Sequence, residues 1–220
     1  MQMLYPFSGS IQQYMAFVER GEEANRCRPA NCPQCASKER MVSHGFYSRT
    51  VVDLDVDCEI RVRRYLCRMC RRTVSLLPEF VLPYLRFAIR LIGLFLKARL
   101  AEGQTLKAAA EVTDQAGMPY QRGQHWVDRF RRQAENVSAA LAGLVRPVVA
   151  SDFVARAIGM LEQTGWVPAH RFLFEQLRAH LLGWPEFLAP AGIAITIGKE
   201  VRASGVSPHS ICMDAESPPS

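Results

Sequence analysis

Residues 58–77 read CEIRVRRYLCRMCRRTVSLL. Cys58, Ile60, Val62 and Leu66 alternate with Glu59, Arg61, Arg63 and Tyr65, and only Arg64 breaks the pattern. A period of two over this length predicts a strand with one apolar face and one wetter, basic face. Cys67-Arg-Met-Cys70 closes that strand with two thiols. Arg71-Arg72 follow, and Thr73–Leu77 reads as a further short strand ended by Pro78 and Pro83.

Upstream, Cys32-Pro-Gln-Cys35 repeats the Cys-x-x-Cys spacing, with thirty-one residues between Cys35 and Cys67. Met41–Val52 reads as a strand interrupted at His44-Gly45, and Asp53, Asp55 and Asp57 mark a hairpin loop. A hairpin of that length can bring the two cysteine turns together as a tetrahedral thiolate site, the geometry preferred by zinc. The ligands expected for one structural zinc ion (Zn2+) are therefore Cys32, Cys35, Cys67 and Cys70. Iron would accept the same four sulfurs. Zinc is preferred because basic surroundings suit DNA better than electron transfer. Redox-active pairs and accidental spacing compete with a metal site. Cys27, Cys58, Cys212 and His44 are expected to stay outside the site.

The chain has 220 residues, 49% hydrophobic and 22% charged, enough to bury one core or two small ones. No apolar run is long enough for a membrane span, and Met1–Ser10 lacks the pattern of a secretion signal. A reducing cytoplasm, with association to the nucleoid, is the expected location, where seven cysteines argue against a disulfide framework. The net charge of +6 is uneven: from Arg26 to Arg99 fifteen Lys/Arg face six Asp/Glu. A local excess of that sign favours a polyanion, most often nucleic acid. The competing view is a solvated basic surface.

Five segments are expected: a lead over 1–25, a zinc ribbon over 26–83, a helical region over 84–146, C-terminal helices over 147–192, and a disordered tail over 193–220 that is Ser/Pro-rich from Ala203. Ile11–Glu19 can form a helical turn or two, with Ile11, Met15 and Val18 on one side. Tyr84–Ala101 is the strongest helix, with Leu85, Ile89, Ile92, Leu96 and Leu100 at helical spacing. Thr105 can cap Leu106–Val112, Gly117-Met118-Pro119 makes a turn, and Tyr120–Leu144 reads as one long helix bent near Asn136. Val154–Gln163 and His170–Leu182 follow, separated by Gly165 and Pro168, and Trp184-Pro185 breaks the second. Small Ala108–Ala110 before a turn, then a helix with Gln121, Arg122, Gln124, His125 and Arg129, is the pattern of a helix-turn-helix reading the major groove. A plain helical bundle competes with it. The fold class expected is α+β: a small antiparallel zinc ribbon, then an all-helical region with a helix-turn-helix. Arg49, Arg61, Arg63, Arg68, Arg71 and Arg72 are the ribbon's candidate DNA contacts, since guanidinium groups pair bidentately with phosphate. Arg40 joins them as a neighbour, and Tyr47 and Tyr65 can pack against sugar or base.

Cys32-Pro-x-Cys35, His44-Gly45-x-Tyr47-x-Arg49, Ile60-x-Val62-x-Arg64-Tyr65-x-Cys67-Arg68-x-Cys70 and Arg72-Thr73-x-Ser75-x-Leu77-Pro78 together resemble the N-terminal zinc ribbon of insertion-sequence transposases. They look closer still to an uncharacterised bacterial, transposase-related domain family that carries such a ribbon. The resemblance covers Asn31–Tyr84 and extends loosely over the helix-turn-helix. It implies DNA binding in a mobile-element setting. Transposases of that kind add a ribonuclease-H-like domain with a carboxylate triad. After Leu144 the acids, among them Asp152, Glu162 and Glu175, do not sit on an apolar strand run. The expectation is a DNA-binding protein without a nuclease domain of its own, or a module that recruits a DNA-processing partner. No small-molecule substrate is evident. The apolar Trp166–Trp184 stretch suits either a homodimer surface or plain core.

Overall fold

The computed structural model describes residues 1–21, 27–39, 41–115, 117–177 and 180–183. Arg40, Trp184-Pro185, Cys212 and the tail over 193–220 lie outside the described residues. Met1–Ala189 forms one compact unit, of mixed α+β class, with a four-stranded sheet and six helices among the described residues. No described helix is long and apolar enough to cross a membrane.

The sheet order is β1-β4-β3-β2, from β1 (Gln2–Tyr5), β2 (Val42–Asp53), β3 (Val56–Leu66) and β4 (Thr73–Pro78). The hairpin β2–β3 turns through Leu54 and Asp55 alone, and its register shifts between Ser43 and Phe46. Gly45, at φ 77°, supplies the left-handed residue of that bulge, as His44-Gly45 predicted. β4 continues antiparallel to β3, but β1 pairs with β4 in parallel, Met3 opposite Leu76. The expected lead is therefore in part an edge strand, and the sheet is not purely antiparallel.

Between β1 and β2 lies α1 (Ile11–Glu19), entered through a capping box in which Ser10 and Gln13 bond reciprocally. Its buried side holds Ile11, Tyr14, Phe17 and Val18, and the Tyr14 hydroxyl donates to the Arg61 carbonyl. The expected apolar side had Met15 in place of the two aromatics. Tyr14 and Phe17 instead join Tyr5, Phe7 and Phe80 in an aromatic cluster.

Five helices follow: α2 (Ile89–Leu100), α3 (Leu106–Val112), α4 (Tyr120–Leu141), α5 (Phe153–Thr164) and α6 (Trp166–Leu177). Thr105 caps α3 through the Ala108 amide, as its position suggested. The strongest predicted helix starts five residues later than expected. Tyr84 takes a left-handed φ of 65°, and the amide of Val52 and the carbonyl of Val52 bond to Arg86 and Ala88. Those backbone groups serve the sheet, so the helix waits until Ile89. The last helix starts four residues earlier than expected, because Gly165 at φ 85° ends α5 and Pro168 falls in the first turn of α6, where a missing N–H costs nothing. Gly93 of α2 lies so close to Trp166 that a Cβ there would stand 2.6 Å from the indole.

Two hydrophobic clusters result. One lies under the helices, centred on Phe95, Trp126 and Phe130. The other lies under the sheet and α1, and includes Cys32, Cys67, Ile60, Val62 and Tyr65. A half-buried ion pair ties them: Glu79 accepts from the Phe7 amide with one oxygen and from Arg171 of α6, at 3.1 Å, with the other. Leu173, Phe174, Leu181 and Leu182 of the apolar C-terminal stretch are core residues.

Candidate metal centre and basic face

The two cysteine pairs occupy turns with the same backbone. Cys32 N–H donates to Ser37 O at 2.9 Å, and Cys67 N–H donates to Arg72 O at 3.0 Å. The residue after each second cysteine, Ala36 or Arg71, is left-handed. The first turn enters the sheet through Met41 and β2. The second joins β3 to β4. The β2–β3 hairpin thus sets the turns against each other at the sheet's end.

Across the turns, Cys32 Sγ lies 3.7 Å from Cys70 Sγ, and Cys35 Sγ lies 3.7 Å from Cys67 Sγ. All four sulfurs fall within 4.8 Å of one another. A tetrahedron with metal–sulfur bonds of about 2.3 Å has edges of about 3.8 Å. The site therefore has the dimensions to hold a metal ion.

Its electrostatics suit a cation. Burial raises the Cys32 thiol, but the amides of Cys35 and Gln34, aimed at its sulfur, bring it down to about 7. The Ser37 amide favours the Cys35 thiolate, yet burial and the three neighbouring sulfurs push that thiol up to about 12. Four sulfurs this close cannot all ionise without a cation between them. Cys32 and Cys67 are buried to 1% exposure, while Cys35 is on the surface. Cys27 is buried in the sheet cluster, outside the four-sulfur group, and Cys58 stands half-buried opposite Val51 on β3.

The expected basic contacts divide. Arg61, Arg68, Arg71 and Arg72 are exposed. Arg61 stacks on Phe46 at 4.2 Å; Arg63, half-buried, stacks on the same ring at 4.6 Å and donates to Ser43. Arg49 turns inward, and its guanidinium donates to the carbonyls of Leu82 and Leu85. Tyr65 is fully buried beneath Arg28, because the chain before Met41 covers that end of the basic face. Tyr47 is half-buried, with its hydroxyl enclosed.

On α4, Gln121 and His125 are exposed. Gln124 donates to Asp128, and Arg129 sits 3.5 Å from the His125 ring, whose protonation is disfavoured by burial and by Arg129 and Arg132. Arg122 is drawn over the Phe87 ring. A cleft of about 590 Å³ lies between the start of α4 and the connector before α2, lined by Tyr84, Arg86, Phe87, Gln121, Arg122 and His125. Sequence reasoning missed its connector wall, because Tyr84 and Arg86 read as helix there.

Residues 32–115 match the family model of a domain of unknown function, DUF6431. The match runs from Cys32, the first cysteine of the four-sulfur group, through both turns, the hairpin, β4, α2 and α3, less than half of the chain, and stops before α4. No curated protein and no solved structure matches.

Proposed function

We propose that this chain is a zinc-dependent DNA-binding protein, with the four-cysteine site acting as a zinc ribbon and α3–α4 as a helix-turn-helix. One observation carries the reading. The two cysteine turns share a backbone but not a surface: the first presents Pro33, Gln34 and Ser37, the second Arg68, Arg71 and Arg72. None of those three arginines pairs with an acid among the described residues. Exposed, uncompensated guanidinium groups on a rigid metal-held turn suit phosphate contacts. The ion is structural in this reading, fixing the turn that displays the cations. A relationship to the DNA-binding N-terminal regions of transposases, without a nuclease domain, fits the cysteine and arginine pattern.

A second reading is a module that recruits a DNA-processing partner. Leu144, Val149 and Phe153 favour it, as exposed apolar side chains between and at the ends of α4 and α5.

The test is metal content and DNA affinity on one purified sample, wild type against Cys67→Ser/Cys70→Ser. One zinc per chain with a steep salt dependence, both lost in the variant, is the expected outcome. Zinc with no DNA binding, or with a shallow salt dependence, would move the function to partner recruitment.

A further inference from the structure

The cleft between α4 and the connector before α2 is held open by machinery that the metal site does not need. Three groups brace the connector from behind. Arg49 donates to the carbonyls of Leu82 and Leu85. His180 donates from Nε2 to Pro83 O at 3.2 Å, its proton placed there because the Leu182 amide bonds Nδ1. Phe87 is bridged to Val52 of β2.

Between these anchors Tyr84 is forced into the left-handed region, a strained state for an aromatic residue. The residue is nevertheless 48% exposed, on the wall of the cleft. Arg86 and Arg122 approach the Phe87 ring at 4.9 and 5.2 Å, from the connector and from α4. Neither pairs with a carboxylate among the described residues. Two guanidinium groups without a carboxylate partner, lining one cleft, suit an anion. An exposed tyrosine beside them offers a stacking face. The volume, about 590 Å³, fits a small organic group and is far too small for a double helix.

We propose that this cleft seats one unpaired nucleotide of a nucleic-acid strand, its phosphate between Arg86 and Arg122 and its base against Tyr84. This rests on the nucleic-acid reading above and adds a site to it. A base inside a duplex is stacked on its neighbours and cannot reach Tyr84, so the cleft selects a frayed, flipped or single-stranded position. Gln121 and His125, exposed on the same rim, can meet the polar edge of the base.

The experiment uses the full, metal-loaded chain and two probes: a single-stranded thymidine tetranucleotide and a blunt duplex. Binding is followed by fluorescence anisotropy, with circular dichroism and metal content checking each variant's fold. Wild type is expected to bind the tetranucleotide. Tyr84→Leu and Arg86→Gln/Arg122→Gln are expected to weaken that binding about tenfold or more, and Tyr84→Phe to preserve it. Duplex affinity of Tyr84→Leu is expected to stay within about twofold of wild type. No tetranucleotide binding by wild type would overturn the proposal, as would equal losses on both probes in Tyr84→Leu. Tetranucleotide binding without duplex binding would uphold the cleft and overturn the duplex reading instead.

Discussion

Ala36 and Arg71 stand in the same left-handed backbone conformation, φ 56° and 54°, each directly after the second cysteine of its pair. A Cβ in that region costs about 1–2 kcal/mol relative to glycine, offset in part by glycine's greater loss of freedom on folding. Ala36→Gly is therefore expected to stabilise the metal-bound protein by about 1 kcal/mol. For a chain of this size that raises the melting temperature by about 2–4 °C, read in a thermal melt. Arg71→Gly relieves the same strain, and on the DNA-binding reading it also lowers the salt slope of DNA affinity by about 0.9. An unchanged slope with raised stability would assign Arg71 to the turn alone.

The parts of this architecture that depend on near neighbours were legible in the sequence. The Cys-x-x-Cys spacing, the alternation of Ile60 and Val62 with Arg61 and Arg63, the bulge at Gly45 and the Thr105 cap are all decided within a few residues. Long-range pairing was not legible. β1 is four residues whose partner, β4, lies some seventy residues on. Nothing local in Gln2–Tyr5 announces a strand. Tyr65 keeps strand alternation, yet it is buried because the segment before Met41 covers it. Arg49 looked like its neighbours, but only the folded path of Leu82–Leu85 shows that its partners are carbonyls. The cleft was invisible for the same reason: Tyr84–Ala88 has helical spacing, and pairing with Val52 overrides it.

On the metal-site reading, removing the ion should act on one cluster more than the other. Cys32 and Cys67 belong to the sheet cluster, while the helical cluster around Trp126 contains no ligand. Without the ion the turns lose the cation that offsets four crowded sulfurs. Chelator treatment is expected to speed amide exchange in β2, β3 and β4 and at Cys32–Ser37, while α4 and α5 keep most of their protection. Hydrogen exchange followed by mass spectrometry reads this directly. Uniform loss of protection would mean that both clusters depend on the ion.

The arginines should sort by where the fold aims them. Replacing Arg68, Arg71 and Arg72 together by Gln removes three exposed charges and is expected to lower the salt slope of DNA binding by about 2.7, with stability changed little. Arg49→Gln should do the reverse. It takes a half-buried charged donor from the Leu82 and Leu85 carbonyls, so a destabilisation of about 1–3 kcal/mol is expected with the salt slope intact. Paired denaturant melts and salt titrations separate the two classes. A drop in slope for Arg49→Gln at unchanged stability would return that residue to the DNA-contacting set.

Buried His170 and His180 should make the fold acid-sensitive. Their rings lie 6.1 Å apart, and burial holds the folded-state pKa values down, to about 3 for His170 and about 4 for His180. Both histidines are neutral in the fold, and neither His170 nitrogen meets a protein donor or acceptor among the described residues. An unfolded histidine takes up its proton near pH 6.5. Above that pH neither state is protonated and the histidines leave stability independent of pH. As pH falls from about 6.5 toward 4, the unfolded chain binds protons that the fold refuses, and stability is lost. Each histidine contributes a slope of up to about 1.4 kcal/mol per pH unit in that window. Acid also competes for the cysteine ligands, so the informative quantity is a difference between proteins. His170→Phe keeps a ring against Phe174 and removes one titration. Its stability, measured by denaturant melts at pH 7, 6, 5 and 4, is expected to fall less steeply than that of wild type by about 1 kcal/mol per unit. Parallel curves would show that His170 gains its proton without opening the core.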